Sequence, residues 1–277
     1  MSKPNLYKIN YKKQNLDTRD YMLSTTNNTS NKNKNIYTLK ISNNINNLSI
    51  EPLSKFNLYR IDPEINILDQ GNIGSCVANA FSLNISYITK NNTELCRLLH
   101  YELSRIFDNT PLNQDDGTYI RTACKILLNY GICDENIYPY TEKNVSNYDL
   151  LTPVSTFQNL KLFTKFQYIF IKQDIDSIKA ALSNYNSPII FGFLVYDSFM
   201  TSAVSNTGFV PIPNTQKENL QGGHCMNIIG YNDDIKYFIC ANSWGVSWGA
   251  NGYCYIPYEF LLNPNLGFDF CVLSLEL

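Results

Sequence analysis

Gln70-Gly71-Asn72-Ile73-Gly74-Ser75-Cys76-Val77-Ala78-Asn79-Ala80-Phe81 carries a loop into a helix with a cysteine at the junction. From Val77 the apolar residues recur at Ala80, Phe81, Ile85 and Ile88, the three-and-four spacing of one buried helical stripe. Cys76 is therefore placed at a helix N-terminus. Unpaired N–H groups and the positive end of the helix dipole favour an anion there, so the thiol pKa is expected to fall below its free value of about 8.5. That makes Cys76 a candidate nucleophile. Gly71 and Gly74 allow tight turns ahead of the helix and close approach of a second main chain. A cysteine at a helix start is more often a packing residue, so the decision comes from later segments.

A reactive thiolate needs a base, and the chain offers only His100 and His224. His224 follows Gly222-Gly223 and precedes Met226-Asn227-Ile228-Ile229-Gly230-Tyr231, an apolar run that reads as a strand. Eighteen residues beyond it comes Asn242, in Asn242-Ser243-Trp244-Gly245, followed by Trp248-Gly249 and Gly252-Tyr253. A short polar turn separates two strand-like runs, so a hairpin can set His224 beside Asn242. The amide oxygen of Asn242 would then orient the imidazole, with Trp244 covering that contact from water. His100 falls among leucines in a second helical pattern and is expected to be a packing or surface residue.

Three signatures in this order resemble the papain family of cysteine peptidases: Gln70 separated from Cys76 by five residues, Gly222-Gly223-His224 before a strand, and Asn242-Ser243-Trp244-Gly245 followed by Trp248-Gly249. Within the family the likeness is greatest to the cathepsin B branch, through Pro188-Ile189-Ile190-Phe191-Gly192-Phe193 and Gln221-Gly222-Gly223-His224; it runs from about Asp69 to the C-terminus. The resemblance implies an α+β, papain-like two-lobe fold. Cys76 would lie on a helical lobe of about residues 66–150, and His224 and Asn242 on a β-barrel-like lobe of about residues 151–277, with the cleft between them. It also implies a cysteine endopeptidase acting on peptide or protein substrates through a thioacyl-enzyme, without a cofactor or metal. Cys76 would be the nucleophile, His224 the acid and base, Asn242 the residue that orients it, and Gln70 an oxyanion donor. Gly117, Gly223, Trp244 and Trp248 would bind substrate or shield the site.

The sequence also departs from the family pattern. Val77 stands where a tryptophan commonly follows the nucleophile, and Ile73 stands where a cysteine commonly precedes it, so one disulfide of secreted relatives cannot form. With His100 and His224 the only histidines, the histidine-bearing loop that makes cathepsin B a dipeptide-trimming enzyme is missing, which favours endopeptidase action. A transpeptidase, ligase or amidase would share every residue named above, and a non-catalytic binding protein would need a permanently filled cleft.

The remaining chain fits this frame. Asn92-Thr93-Glu94 offers a cap for a helix through Leu95, Leu98, Leu99, Leu103 and Ile106. Asp115-Asp116-Gly117-Thr118 leads into a third helix ending near Gly131. Past Tyr140, Asp174 can cap a short helix, and residues 189–196, 225–231, 237–241 and 253–256 read as strands. A length of 277 residues with 44% hydrophobic content can bury a full core. A net charge of -2 argues against nucleic acid as a partner, and no apolar run is long enough for a membrane span. No apolar signal region follows Met1. The seven other cysteines show no metal or disulfide spacing and are expected to be buried thiols, favouring a reducing compartment such as the cytoplasm or a virus particle. Residues 1–55 form a separate arm: an Asn-rich linker between Ser24 and Asn47, preceded by aromatic and charged residues that could dock on the main body, with a solvated tail as the other reading; the resemblance implies a short pro-segment over the cleft.

Overall fold

The computed structural model describes residues 8–15, 22–23, 55–57, 66–90, 94–141, 143–144, 156, 158–160 and 166–275. The Asn-rich linker, the run from Leu16 to Tyr21, and Asn92 and Thr93 of the expected cap lie outside the described residues. Helix α1 is Cys76–Thr89, α2 is Arg97–Phe107 and α3 is Ile120–Asn129. The spacing predicts a single buried stripe for α1, but every residue from Cys76 to Ile85 is buried, as is Tyr87.

The cause is position: α1 is wedged between the other two helices and a β-sheet, sharing one core with Leu99, Ile126 and Leu127 on one side and Ile190, Cys225 and Cys271 on the other. Its buried polar residues are accordingly bonded. Asn79 donates to Ser75 O at 3.0 Å, and Asn84 donates to Pro188 O at 2.8 Å.

Helix α2 begins at Arg97, later than the expected cap. Leu95 instead forms an antiparallel bridge with Asp134, and its N–H donates to Ser82 Oγ at 3.0 Å. The pairing consumes the backbone groups that a helix would need. Helix α3 ends as expected: Gly131 has φ 72 and its N–H reaches back to Ile126 O at 3.2 Å.

The strands are β1 (Met22–Leu23), β2 (Lys55–Asn57), β3 (Phe166–Ile171), β4 (Ile189–Tyr196), β5 (Leu220–Asn232), β6 (Tyr237–Ala241), β7 (Tyr253–Pro257) and β8 (Gly267–Leu275). They form one sheet in the order β1-β3-β8-β4-β5-β6-β7, with β2 added on β5. The β1–β3 pair is parallel and the other pairs are antiparallel. Helices α4 (Ile175–Tyr185), α5 (Ser202–Thr207) and α6 (Tyr258–Leu262) and two 3-10 turns, Glu135–Ile137 and Asp197–Met200, complete the described elements. Asp174 caps α4 as expected, accepting from Ser177 N at 2.7 Å.

The four expected strands all form, and the one carrying His224 extends back to Leu220. Strands β3 and β8 have no counterpart among the expected ones. In β8 the regular alternation is broken at Asp269, which has φ 58, beside a register shift between Ile190 and Gly192 in β4. Alternation across β4 divides two cores: Ile190 faces the α1 side, while Ile189, Phe191 and Phe193 face the other side with Met226 and Phe270. Truncating one of these fully buried phenylalanines to alanine is worth about 3–5 kcal/mol. Because the sheet is covered on both faces, β4 reads as a continuous apolar run rather than an alternating one.

Candidate active site

Cys76 is the first residue of α1, and the loop before it is held from several directions. Gly71 has φ 61, the left-handed conformation that glycine takes without steric cost. Gln70 N donates to Ser243 O at 2.8 Å, and Gln70 Oε1 accepts from Ser243 Oγ at 2.7 Å. Two motifs 173 positions apart are thus joined directly. Gln70 O accepts from Tyr140 OH at 2.7 Å, and Tyr140 OH lies 2.6 Å from Ser75 Oγ. Behind them Arg97 stacks on the Tyr140 ring at 3.9 Å and donates to Asp69 O, Asn79 Oδ1 and the Glu135 carboxylate.

His224 and Asn242 come together through the expected β5–β6 hairpin. His224 Nε2 lies 2.8 Å from Asn242 Oδ1. That same oxygen accepts from Ser243 N at 2.8 Å, which fixes the amide's orientation and makes Nε2 the protonated nitrogen. Nδ1 is left without a hydrogen-bond partner among the described residues, so the structure does not join it to the Cys76 thiol by a hydrogen bond. The Trp244 ring is stacked on His224, with centroids 4.9 Å apart. The Cys76 thiol lies against the backbone N–H of Cys225, the residue after His224. Trp248 is only 5% exposed and packs on Phe199 and Trp244, so its described contacts are with the aromatic core.

The cleft is occupied by the protein's own residues 8–15. Gln70 Nε2 donates to Lys8 O at 3.0 Å as well as to Ile73 O. Asn10 presents its N–H to the Cys76 sulfur. Tyr11 N donates to Gly223 O at 2.7 Å, and Lys12 N reaches Thr118 O at 3.4 Å. The Tyr11 ring stacks on Phe268, and its hydroxyl donates to Asp269 Oδ2 at 2.6 Å. Gln14 N donates to the same carboxylate oxygen at 3.0 Å. Gly117 and Gly223 flank this segment so closely that a Cβ would fall 1.3 Å from Asn10 O at the first and 2.3 Å from Tyr11 O at the second.

Burial overturns the expectation of an acidic thiol in this state. Burial pushes the Cys76 pKa up to about 12, outweighing the backbone N–H groups of Cys225, Val77 and Asn10 that pull it down. Burial also lowers His224 to about 4, against the opposing bond from Asn242. Burial thus works against the thiolate and the imidazolium alike, and the helix terminus alone does not replace the water it excludes.

The other histidine is a core residue: His100 is buried, with Nε2 3.0 Å from Ala123 O and its ring edge-on to Phe81. All eight cysteines are buried thiols outside any disulfide. No group of three or more potential metal ligands occurs among the described residues. Sequence reasoning misses Ser243, Tyr140 and Arg97 as supports of the Gln70 loop, and Asp115 and Asp269 as carboxylates in the cleft. Ser243 stands inside the Asn242-Ser243-Trp244-Gly245 signature and could have been found there, but no local pattern gives Tyr140, Arg97, Asp115 or Asp269 these roles.

Residues 62–260 match the family model described as "Papain family cysteine protease". An uncharacterised peptidase C1-like protein of Acanthamoeba polyphaga mimivirus is 32% identical over 257 residues, covering 87% of this chain and 80% of that protein. Pro-cathepsin H of Mus musculus is 30% identical over 131 residues, covering 46% of this chain and 36% of its own length, so the likeness is not confined to the cathepsin B branch. Among solved structures, xylellain, a cysteine protease from Xylella fastidiosa, superposes with a TM-score of 0.78 at 28% identity, over 99% of this chain and 98% of that one.

Proposed function

The chain belongs to the papain family of cysteine proteases, which are thiol hydrolases with a papain-like fold, and on that premise we propose that it is a cysteine endopeptidase held latent by its own N-terminal arm. The observation that carries this reading is the seat of the Lys8 carbonyl on Gln70 Nε2, with the neighbouring Asn10 N–H at the Cys76 sulfur. The arm's main chain thus covers both the donor and the sulfur that a substrate would need.

Once the arm leaves, water reaches the cleft and the burial that keeps both groups neutral is relieved, so a thiolate and an imidazolium can form. The Cys76 sulfur attacks the carbonyl carbon of the scissile bond, and the oxyanion takes the Gln70 Nε2 donor that Lys8 O now holds. His224 gives its Nδ1 proton to the leaving amine as the C–N bond breaks, leaving a thioester on Cys76. Water then loses a proton to His224, attacks the thioester and releases the carboxylic acid and the free thiol. Asn242 keeps the ring oriented throughout by accepting from Nε2. Gly117 and Gly223, which flank the arm's main chain, would flank the substrate's in turn.

The test is hydrolysis of a mixed peptide library by the full chain and by Tyr11→Ala, which removes the arm's aromatic anchor. Cleavage should rise in Tyr11→Ala and disappear when Cys76→Ala or His224→Ala is added. A Tyr11→Ala protein whose Cys76 reacts with iodoacetamide but which cleaves no peptide would leave only a binding role.

A further inference from the structure

Asp115 is a carboxylate inside the cleft whose counter-ion belongs to the arm. Its side chain is 1% exposed, and Lys8 Nζ sits 2.7 Å from Oδ2. Among the described residues Lys8 is the cation paired with it. The other contacts to the carboxylate come from neutral donors: Gly74 N at 3.0 Å to both oxygens, and Tyr101 OH. These hold the carboxylate in place next to the loop that carries Cys76, close enough for its charge to bear on the thiol. When the arm departs, this carboxylate loses the Lys8 ammonium and faces the vacated cleft.

Lys8 makes two contacts at once. Its carbonyl oxygen is on Gln70 Nε2 at 3.0 Å, and its ammonium is on Asp115. A substrate residue that places its scissile carbonyl on the same donor lies within reach of the same carboxylate if its side chain is long and basic. We infer that Asp115 makes the enzyme selective for lysine or arginine at the residue that contributes the scissile carbonyl. This deepens the peptidase reading and rests on it. A neutral side chain at that position leaves a nearly buried carboxylate without a cation, which makes the discrimination larger than an exposed ion pair would give. A charge-assisted hydrogen bond at such a site corresponds to about ten- to a hundredfold in rate.

The test uses the full chain with Lys8→Glu, which sets a second carboxylate against Asp115 and is expected to lift the arm by like-charge repulsion. Two fluorogenic peptides are compared, identical except for arginine or leucine at the cleaved carbonyl, and Cys76 labelling by iodoacetamide is followed in the same sample. The expected result is a kcat/KM ratio favouring arginine by about ten- to a hundredfold, falling to within about threefold of unity when Asp115→Asn is added. Asparagine keeps an acceptor for Gly74 N and Tyr101 OH, so a purely structural role would change both rates without changing their ratio. A ratio near one with Asp115 intact, or a ratio untouched by Asp115→Asn, overturns the inference and leaves the peptidase reading standing. A labelled Cys76 with neither peptide cleaved overturns the peptidase reading and the selectivity with it. An unlabelled Cys76 in Lys8→Glu shows that the Lys8–Asp115 pair does not anchor the arm, and removes the ground for the inference.

Discussion

The backbone carbonyl of Lys8 accepts a hydrogen bond from the side-chain amide of Gln70 at 3.0 Å, across 62 positions of sequence. The donor proposed for a developing oxyanion is thereby engaged by the chain itself. Replacing Gln70 with alanine removes that donor and also the acceptor for Ser243 Oγ. In an arm-released form such as Lys8→Glu, we expect kcat to fall by about a hundred- to a thousandfold, with a smaller change in KM. Steady-state kinetics on a single fluorogenic peptide decide it, and a loss below about fivefold would remove Gln70 from the oxyanion role.

Gly117 sits in the left-handed region with φ 72, and a Cβ there would overlap Asn10 O. Gly117→Ala therefore strains its own backbone and expels the arm from its seat. Labelling of Cys76 in the full chain should quicken by about an order of magnitude, the equivalent of roughly 1.4 kcal/mol of arm affinity. A labelling rate equal to that of the unaltered chain would show that the arm is not held by this approach.

Acid should destabilise the arm-seated fold through its two buried histidines. Burial lowers both His100 and His224 to about 4, well below their ordinary value near 6.5. The unfolded chain therefore binds protons that the folded chain refuses. The stability contributed by the neutral rings is fully present above about pH 6.5 and is lost as the pH falls toward 4. Urea midpoints measured between about pH 7 and about pH 4.5 should decline, and His100→Gln should flatten the decline because it removes one of the two groups without touching the cleft. An identical pH dependence in His100→Gln would contradict the assignment.

Arg97 is the support behind the Gln70 loop, reaching Asp69 O, Asn79 Oδ1 and Glu135 from a site only 7% exposed. Arg97→Met leaves Glu135 without its partner in a mostly buried position, a change worth about 3–5 kcal/mol. Thermal unfolding should show a large drop in Tm. The double variant Arg97→Met, Glu135→Leu should recover part of it, since the nearer and more buried of Arg97's two carboxylate partners, Glu135 rather than Glu94, is then gone as well.

The stretch around Cys76 is legible in the sequence because its signals are local: glycines before a helix, apolar residues three and four apart, and a cysteine at the join. The hairpin that sets His224 beside Asn242 is legible for the same reason, two apolar runs and a polar turn. Strand β8 is not, because Asp269 breaks its alternation and its pairing with β4 is irregular. The start of α2 is hidden too, because a bridge to the distant Asp134 takes the backbone of Leu95.

By itself the sequence determined which residues could do the chemistry and on which elements they would stand, since periodicity and turn residues act over a few positions. Only the tertiary structure decided their protonation state and their availability. Burial in the packed fold removes water from Cys76 and His224, and desolvation depends on what every distant segment covers. It likewise decided that Asp115 and Asp269 are cleft carboxylates rather than surface ones, because a carboxylate's surroundings are set by chain segments that approach it from far along the sequence.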